Sequence, residues 1–146
     1  MKRFIRALAG AALVVGGSTV FAQDHDAHHT KPLTAVMQEL GEKMNALNDA
    51  IFKDDWVGMS TASGVIAEHP HVAPNELAAI SKALGKEMQQ FKEWDHLVHK
   101  NALSLRKAAA DKDMKQVLSS HRTIMSGCVS CHIQFRAKVQ KALNRG

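Results

Sequence analysis

Near its C-terminal end the chain reads Cys128-Val129-Ser130-Cys131-His132. On a helix, positions i, i+3 and i+4 share one face, so the two thiols and the imidazole project together. The pattern is C-x-x-C-H, the attachment signature of c-type haem. Two thiols so placed can add to the two vinyl groups of one porphyrin. The adjacent imidazole is then held under the iron as an axial ligand. The chain has two cysteines in all, so none is left over.

Other chemistries use parts of this motif. A thioredoxin-like C-x-x-C needs a strand–helix context, and the surrounding sequence offers none. A disulfide across C-x-x-C in mid-helix is strained and closes almost no loop, so it stabilises little. Zinc needs at least one ligand beyond two Cys and one His, and His121 is a donor that could supply it. A haem-free, metal-binding helical module is the reading that follows from that fourth ligand.

The elements that must carry the motif read as helices. From Leu33 the apolar positions Leu33, Val36, Met37, Leu40, Met44, Leu47 and Ile51 step by three and four. Pro32 stands where a first turn tolerates it. Asp54 or Asp55 can cap a second helix with the stripe Trp56, Met59, Ala62, Ser63 and Ile66, stopped by Pro70. Asn75 can cap a short helix from Glu76 to Leu84, with Gly85 as its break. A third long helix carries Met88, Phe91, Trp94 or Asp95, Val98, Ala102, Leu105 and Ala109. A fourth, started by Asp111 or Asp113, carries Val117, His121, Ile124, Met125, Cys128, His132, Phe135, Val139 and Leu143. No stretch alternates like a half-buried strand. The expected fold is all-α, an antiparallel four-helix bundle with covalently bound haem c.

The 146 residues carry 19 Lys+Arg and 14 Asp+Glu, a formal charge of +5 that invites a nucleic-acid reading. The first segment removes it. Lys2, Arg3 and Arg6 precede an apolar run from Ala7 to Val20, and Val20-Phe21-Ala22 supplies small residues at −3 and −1 of a cleavage site. That is a secretory signal peptide over 1–22, its apolar run too short for a bilayer span. Cleavage deletes three bases and no acid, leaving 16 bases against 14 acids in 124 residues. The expected organisation is a signal peptide over 1–22, a flexible His-rich tail over 23–32 and one helical domain over 33–146. The exported protein is expected in a periplasm, with no membrane segment after cleavage and no nucleic-acid partner.

A helical chain with Cys128-Val129-Ser130-Cys131-His132-Ile133-Gln134-Phe135-Arg136 in its last helix resembles the class II cytochromes c, the c-prime cytochromes and their low-spin relatives. The resemblance spans the helical domain in helix order, and the C-terminal motif is its specific part. It implies one haem c bound through thioethers at Cys128 and Cys131, with His132 as the proximal iron ligand. Arg136 matches the basic residue one turn beyond the motif. By spacing alone, Arg136 either reaches the haem edge at i+4 from His132 or lies solvated on the outer face.

Low-spin members of the family use a Met early in the first helix as the sixth ligand. The stretch Val36-Met37-Gln38-Glu39-Leu40-Gly41-Glu42-Lys43-Met44 is similar to that region, which makes Met37 the candidate distal ligand and Met44 the reserve. On periodicity alone both read as core methionines. Leu33 stands one turn earlier, where relatives often have Arg. With Met37 on the iron, the expected function is single-electron transfer between periplasmic redox proteins, without enzymatic turnover. The alternative is a five-coordinate, c-prime-like protein binding NO or CO at an open distal site. Gly41 would ease close approach of helix to porphyrin in either case. Class II relatives often dimerise through their first two helices, and Trp56 and Val57 are candidates for such a homodimer face.

No nucleophile, base and orienting group can be placed together, so no enzyme is expected. His96 and His99, at i and i+3, are half a metal site or a solvated pair. His69 and His71 flank Pro70 in a loop expected to be exposed. If cleavage follows Ala22, Gln23-Asp24-His25 presents an amine, two amides and an imidazole, donors for square-planar Cu(II) or Ni(II), or else a polar tail.

Overall fold

A computed structural model describes residues 30–144; the expected signal peptide, most of the His-rich segment and Gln23-Asp24-His25 lie outside the described residues. Among the described residues the protein is all-α apart from one two-residue pair. The order is β1 (Thr30–Lys31), α1 (Leu33–Phe52), α2 (Trp56–Ala67), β2 (His71–Val72), α3 (Pro74–Leu84), a 3-10 turn at Gly85–Glu87, α4 (Met88–Ala110) and α5 (Met114–Ala142). None of these helices is long and apolar enough to cross a membrane.

Two of the connections share one design. After α1, Asp54 takes a left-handed backbone (φ 54°), and Asp55 N–H reaches back to the Ala50 carbonyl at 2.9 Å. After α4, Lys112 does the same (φ 56°), and Asp113 N–H reaches Ala108 at 2.9 Å. Both satisfy helix-end carbonyls in the manner of a Schellman turn, without the usual glycine. The residue that closes each turn also opens the next helix. The Asp55 carboxylate accepts from Gly58 N–H, and that of Asp113 from Gln116 N–H. Of the two caps offered by the sequence at each turn, the second is the one used.

The start of the short helix is a correction. α3 begins at Pro74 with Ala73 preceding it, so Asn75 lies inside the first turn rather than at the cap. Proline is tolerated there because its missing N–H has no intrahelical partner to lose. Gly85, at φ 52°, ends the helix in a backbone state that L side chains adopt at a cost. A second difference concerns the expected tail. Thr30 and Lys31 pair in parallel with His71 and Val72, a contact between distant segments with no local alternation to announce it. The Glu76 carboxylate of α3 then accepts from Leu33 N–H at 2.7 Å, satisfying an orphan donor at the start of α1.

Packing runs from α1 to α2, α2 to α4 and α4 to α5, with α3 set against α5 and α4. The apolar interior falls into two clusters. The larger joins Leu47, Met59, Ile66, Leu105, Val117 and Ile124, with Met44 and Cys128 at its edge. The smaller joins Ile80, Leu84, Phe135 and Val139, with Leu33, Trp94 and Cys131 at its edge.

Candidate functional site

The space between the two clusters is a cavity of about 430 Å³. Native interiors are close-packed, with few voids larger than a water molecule. A space of this size lies within the range of small-molecule and cofactor sites. Its walls come from α1 (Leu33, Met37, Leu40, Gly41, Met44), α4 (Phe91, Trp94, Asp95, Val98) and α5 (Gly127, Cys128, Cys131, His132, Phe135, Arg136, Val139). Every residue singled out for the cofactor reading, from Met37 to Arg136, lines this one cavity. Met37 and His132 are also exposed, so they sit toward its rim.

Local packing explains how α5 presents the thiols. A Cβ added to Gly127 would stand 3.0 Å from Val98 Cγ2 and 3.4 Å from Leu97 Cδ2, so the absence of a side chain lets α5 close on α4 beside Cys128. Nearly two turns further along α5, Trp94 Nε1 donates to Gln134 Oε1 at 3.1 Å. Phe91 and Phe135 meet edge to face with centroids 5.6 Å apart. Together these fix the α4–α5 wall. Across the cavity Gly41 has open space, since a Cβ built there meets no atom within 4 Å.

Both cysteines are free thiols, half-buried. Burial pushes the Cys128 thiol up, and it pushes Cys131 up to about 11, helped by the charge of Cys128 and then of Asp95. Both are therefore neutral thiols near pH 7. The donor set suits a covalent porphyrin: two adjacent thiols, one imidazole and one thioether around an apolar space. Among the described residues no buried side-chain nitrogen or oxygen lacks a partner. A ligand here would be held by apolar contact and by the α5 motif, with no orphaned polar atom to satisfy.

His69 also lines the cavity, and this corrects the expectation that it is exposed; His71 is exposed. His69 Nδ1 donates to the Pro70 carbonyl at 3.0 Å, and Nε2 lies 3.4 Å from Asp95 Oδ1. The Asp95 carboxylate raises the His69 pKa against the opposing effect of burial, and His69 lowers that of Asp95. No sequence signal points to this pair, because its members are 26 residues apart on a loop and a helix. His121 stands away from the cavity. Its Nε2 meets Asn48 Oδ1 at 2.7 Å, tying α5 to α1, and burial lowers its pKa. A neutral ring with Nε2–H donating to the amide oxygen fits both observations.

Among the described residues no three His, Cys, Asp or Glu side chains gather as a metal-ion group, and His96 and His99 acquire no third ligand. Trp56 is half-buried against the larger cluster, whereas Val57 and Phe52 are exposed beside the α1–α2 turn. Compared with family models, curated proteins and solved structures, the chain matches none.

Proposed function

We propose that this chain is an exported electron-transfer cytochrome, a four-helix bundle holding one haem c between α1 and α5. The observation that carries the reading is the gathering of Cys128, Cys131, His132 and Met37 around one apolar cavity. Cys128 and Cys131 supply the attachment. Each thiol would supply both its sulfur and its hydrogen to one vinyl group, so the attachment would need no oxidant. His132 and Met37 would hold the iron, with Met44 about two turns further along the same cavity wall as the reserve. When bound, such a group supplies a one-electron Fe(III)/Fe(II) couple.

The chain's own residues supply the surroundings. Leu40, Phe91, Val98 and Phe135 exclude water, which favours the less charged, reduced state of an enclosed iron. Gly41 leaves room against α1. Arg136 lines the cavity while remaining exposed, so its guanidinium can meet a carboxylate at the rim. Phe52 and Val57 offer an apolar patch for a second copy, and the redox partners are periplasmic proteins.

A visible spectrum of the purified exported protein tests the reading. A Soret band with a sharp reduced low-spin α-band, lost in Met37→Ala and kept in Met44→Ala, supports it. A broad high-spin spectrum that moves with CO assigns the open-iron, gas-binding alternative instead. No Soret band removes both.

A further inference from the structure

Helix α5 has a second face. Beside the buried line of Val117, Ile124 and Phe135, about 80–160° round the helix, the residues Leu118, Arg122, Met125, Val129, Ile133 and Arg136 recur at three- and four-residue steps along the outside. The four apolar members are between 40% and 83% exposed, which corrects the expectation that Met125 belongs to the inner stripe: at one step from Ile124 it is turned about 100° away from the core. An apolar stripe at helical spacing that faces solvent marks an interaction surface more often than scattered single residues do.

Charge is divided as unevenly as hydropathy. α5 carries Lys115, Arg122, Arg136, Lys138 and Lys141 and no acid. The rest of the described chain carries ten basic and twelve acidic residues. Of the five α5 cations, Lys138 is the one with an ion-pair partner among the described residues, Glu87. The cationic field is therefore concentrated on one helix that is otherwise covered only on its inner side.

We propose that this outward face of α5 docks an acidic protein, its carboxylates meeting Lys115, Arg122 and Arg136 and its apolar side chains meeting Val129 and Ile133. From Lys115 to Arg136 the face runs roughly 30 Å at helical rise, long enough for a standard interface. A second copy of this chain is a poor occupant, because a two-fold contact would set one acid-free helix against another. A lipid surface is also a poor occupant. The four exposed apolar side chains are spread over more than four turns and none is aromatic, which leaves little to insert. Arg136 belongs to this face and to the cavity rim at once, so a partner seated here lies beside the cavity. The use of that contact as an electron route rests on the haem reading; the docking does not.

The test uses the full exported protein, labelled with ¹⁵N, and a synthetic helical peptide that presents Glu and Leu on one face. Amide shifts are expected to cluster on the outward residues of α5. Binding is expected to weaken steeply with salt, about tenfold or more in Lys115→Glu/Arg122→Glu, and several-fold in Ile133→Ser. Neither variant alters a cavity-lining residue, and an unchanged fold is checked by far-UV circular dichroism. Shifts scattered over Lys53, Lys82 and Lys100, or affinity indifferent to both variants, overturn the proposal. So does tighter binding of the same face to phosphatidylglycerol vesicles, which assigns it to a membrane, or salt-stabilised dimers through α5 in sedimentation, which assign it to a second copy. A protein that lacks a Soret band yet binds the peptide through α5 refutes the cytochrome reading and leaves this one standing.

Discussion

His69 and Asp95 face each other on the cavity wall, Nε2 to Oδ1 at 3.4 Å, and the other ring nitrogen of His69 donates to the Pro70 carbonyl at 3.0 Å. With both nitrogens aimed at acceptors, the ring is best satisfied as imidazolium. The pair fastens the loop between α2 and α3 to α4. The same loop carries β2, which holds the start of the described chain through β1. A single ion pair therefore helps to secure the entry to α1 as well as the cavity wall.

The pH dependence follows from the directions of the two shifts. His69 titrates above its ordinary 6.5, so its contribution is complete below that value and is lost as pH rises through the raised folded pKa. Asp95 titrates below its ordinary 3.8, so its contribution is complete above that value and is lost as pH falls through the lowered one. The pair stabilises most between about pH 4 and 6.5. Because the Asp95 carboxylate is well exposed, the effect is small, under about 1 kcal/mol. Asp95→Asn should lower the His69 pKa in an NMR titration. It should also lower the urea midpoint at pH 5.5 more than at pH 9. Equal losses at both pH values would contradict the ion pair.

The two cavity glycines should respond in opposite ways. Gly41→Ala meets nothing and removes a helix-interior glycine, so it should stabilise the chain by about 0.5–1 kcal/mol. Gly127→Val must push against Val98 and Leu97 and should destabilise by about 1–3 kcal/mol. Denaturant melts of the two variants give both signs. Gly41→Leu adds the cofactor test: secondary structure retained by circular dichroism, with a reduced Soret absorbance per mole of protein.

The two half-buried cysteines predict slow thiol chemistry. In chain produced without haem-attachment machinery, Cys131, with its pKa pushed up to about 11, should react with a disulfide reagent far more slowly at pH 8 than glutathione does. Its rate should still be rising at pH 10. On the proposed haem reading, protein recovered after export should show no reactive thiol at all, even when denatured. A fast reaction at pH 8 in the unattached chain would mean that the thiols are not held as described.

Lys112 holds a left-handed backbone that glycine adopts without strain. Lys112→Gly should therefore raise stability, by about 0.5–1 kcal/mol once the added freedom of the unfolded chain is deducted. Comparison of its thermal midpoint with that of Lys112→Ala, expected unchanged or lower, isolates the backbone effect.

The helices were legible because their cause is local. The stripe from Leu33 to Ile51 and that from Val117 to Val139 are written in steps of three and four, and α1 and α5 follow them. The cap at Asp55 was legible for the same reason, since aspartate bonding an N–H three residues on leaves a mark in sequence. The cavity was legible on its α5 side through the spacing of Cys128, Cys131 and His132, and on its α1 side only through the resemblance that pointed to Met37, Gly41 and Met44. Its α4 wall was not. Phe91, Trp94 and Val98 read as ordinary core, and only their failure to close on α1 makes them a lining. The His69–Asp95 contact and the β1–β2 pair were silent because they join residues far apart in the chain.

The cavity also sets an order of assembly. Its opposite walls are α1, the first helix described, and α5, the last, so Met37 and Cys128 are separated by about ninety residues. Contacts that close so long a loop form late, because the chain entropy must be surrendered before they return anything. The helical hairpin of α4 and α5 can form early and without that penalty. While the chain folds, the thiols of α5 would then sit on a partly formed scaffold, open on the side that α1 later covers. The wall that encloses the cavity is the last to arrive, and any reagent bound for Cys128 and Cys131 has its widest access before it does.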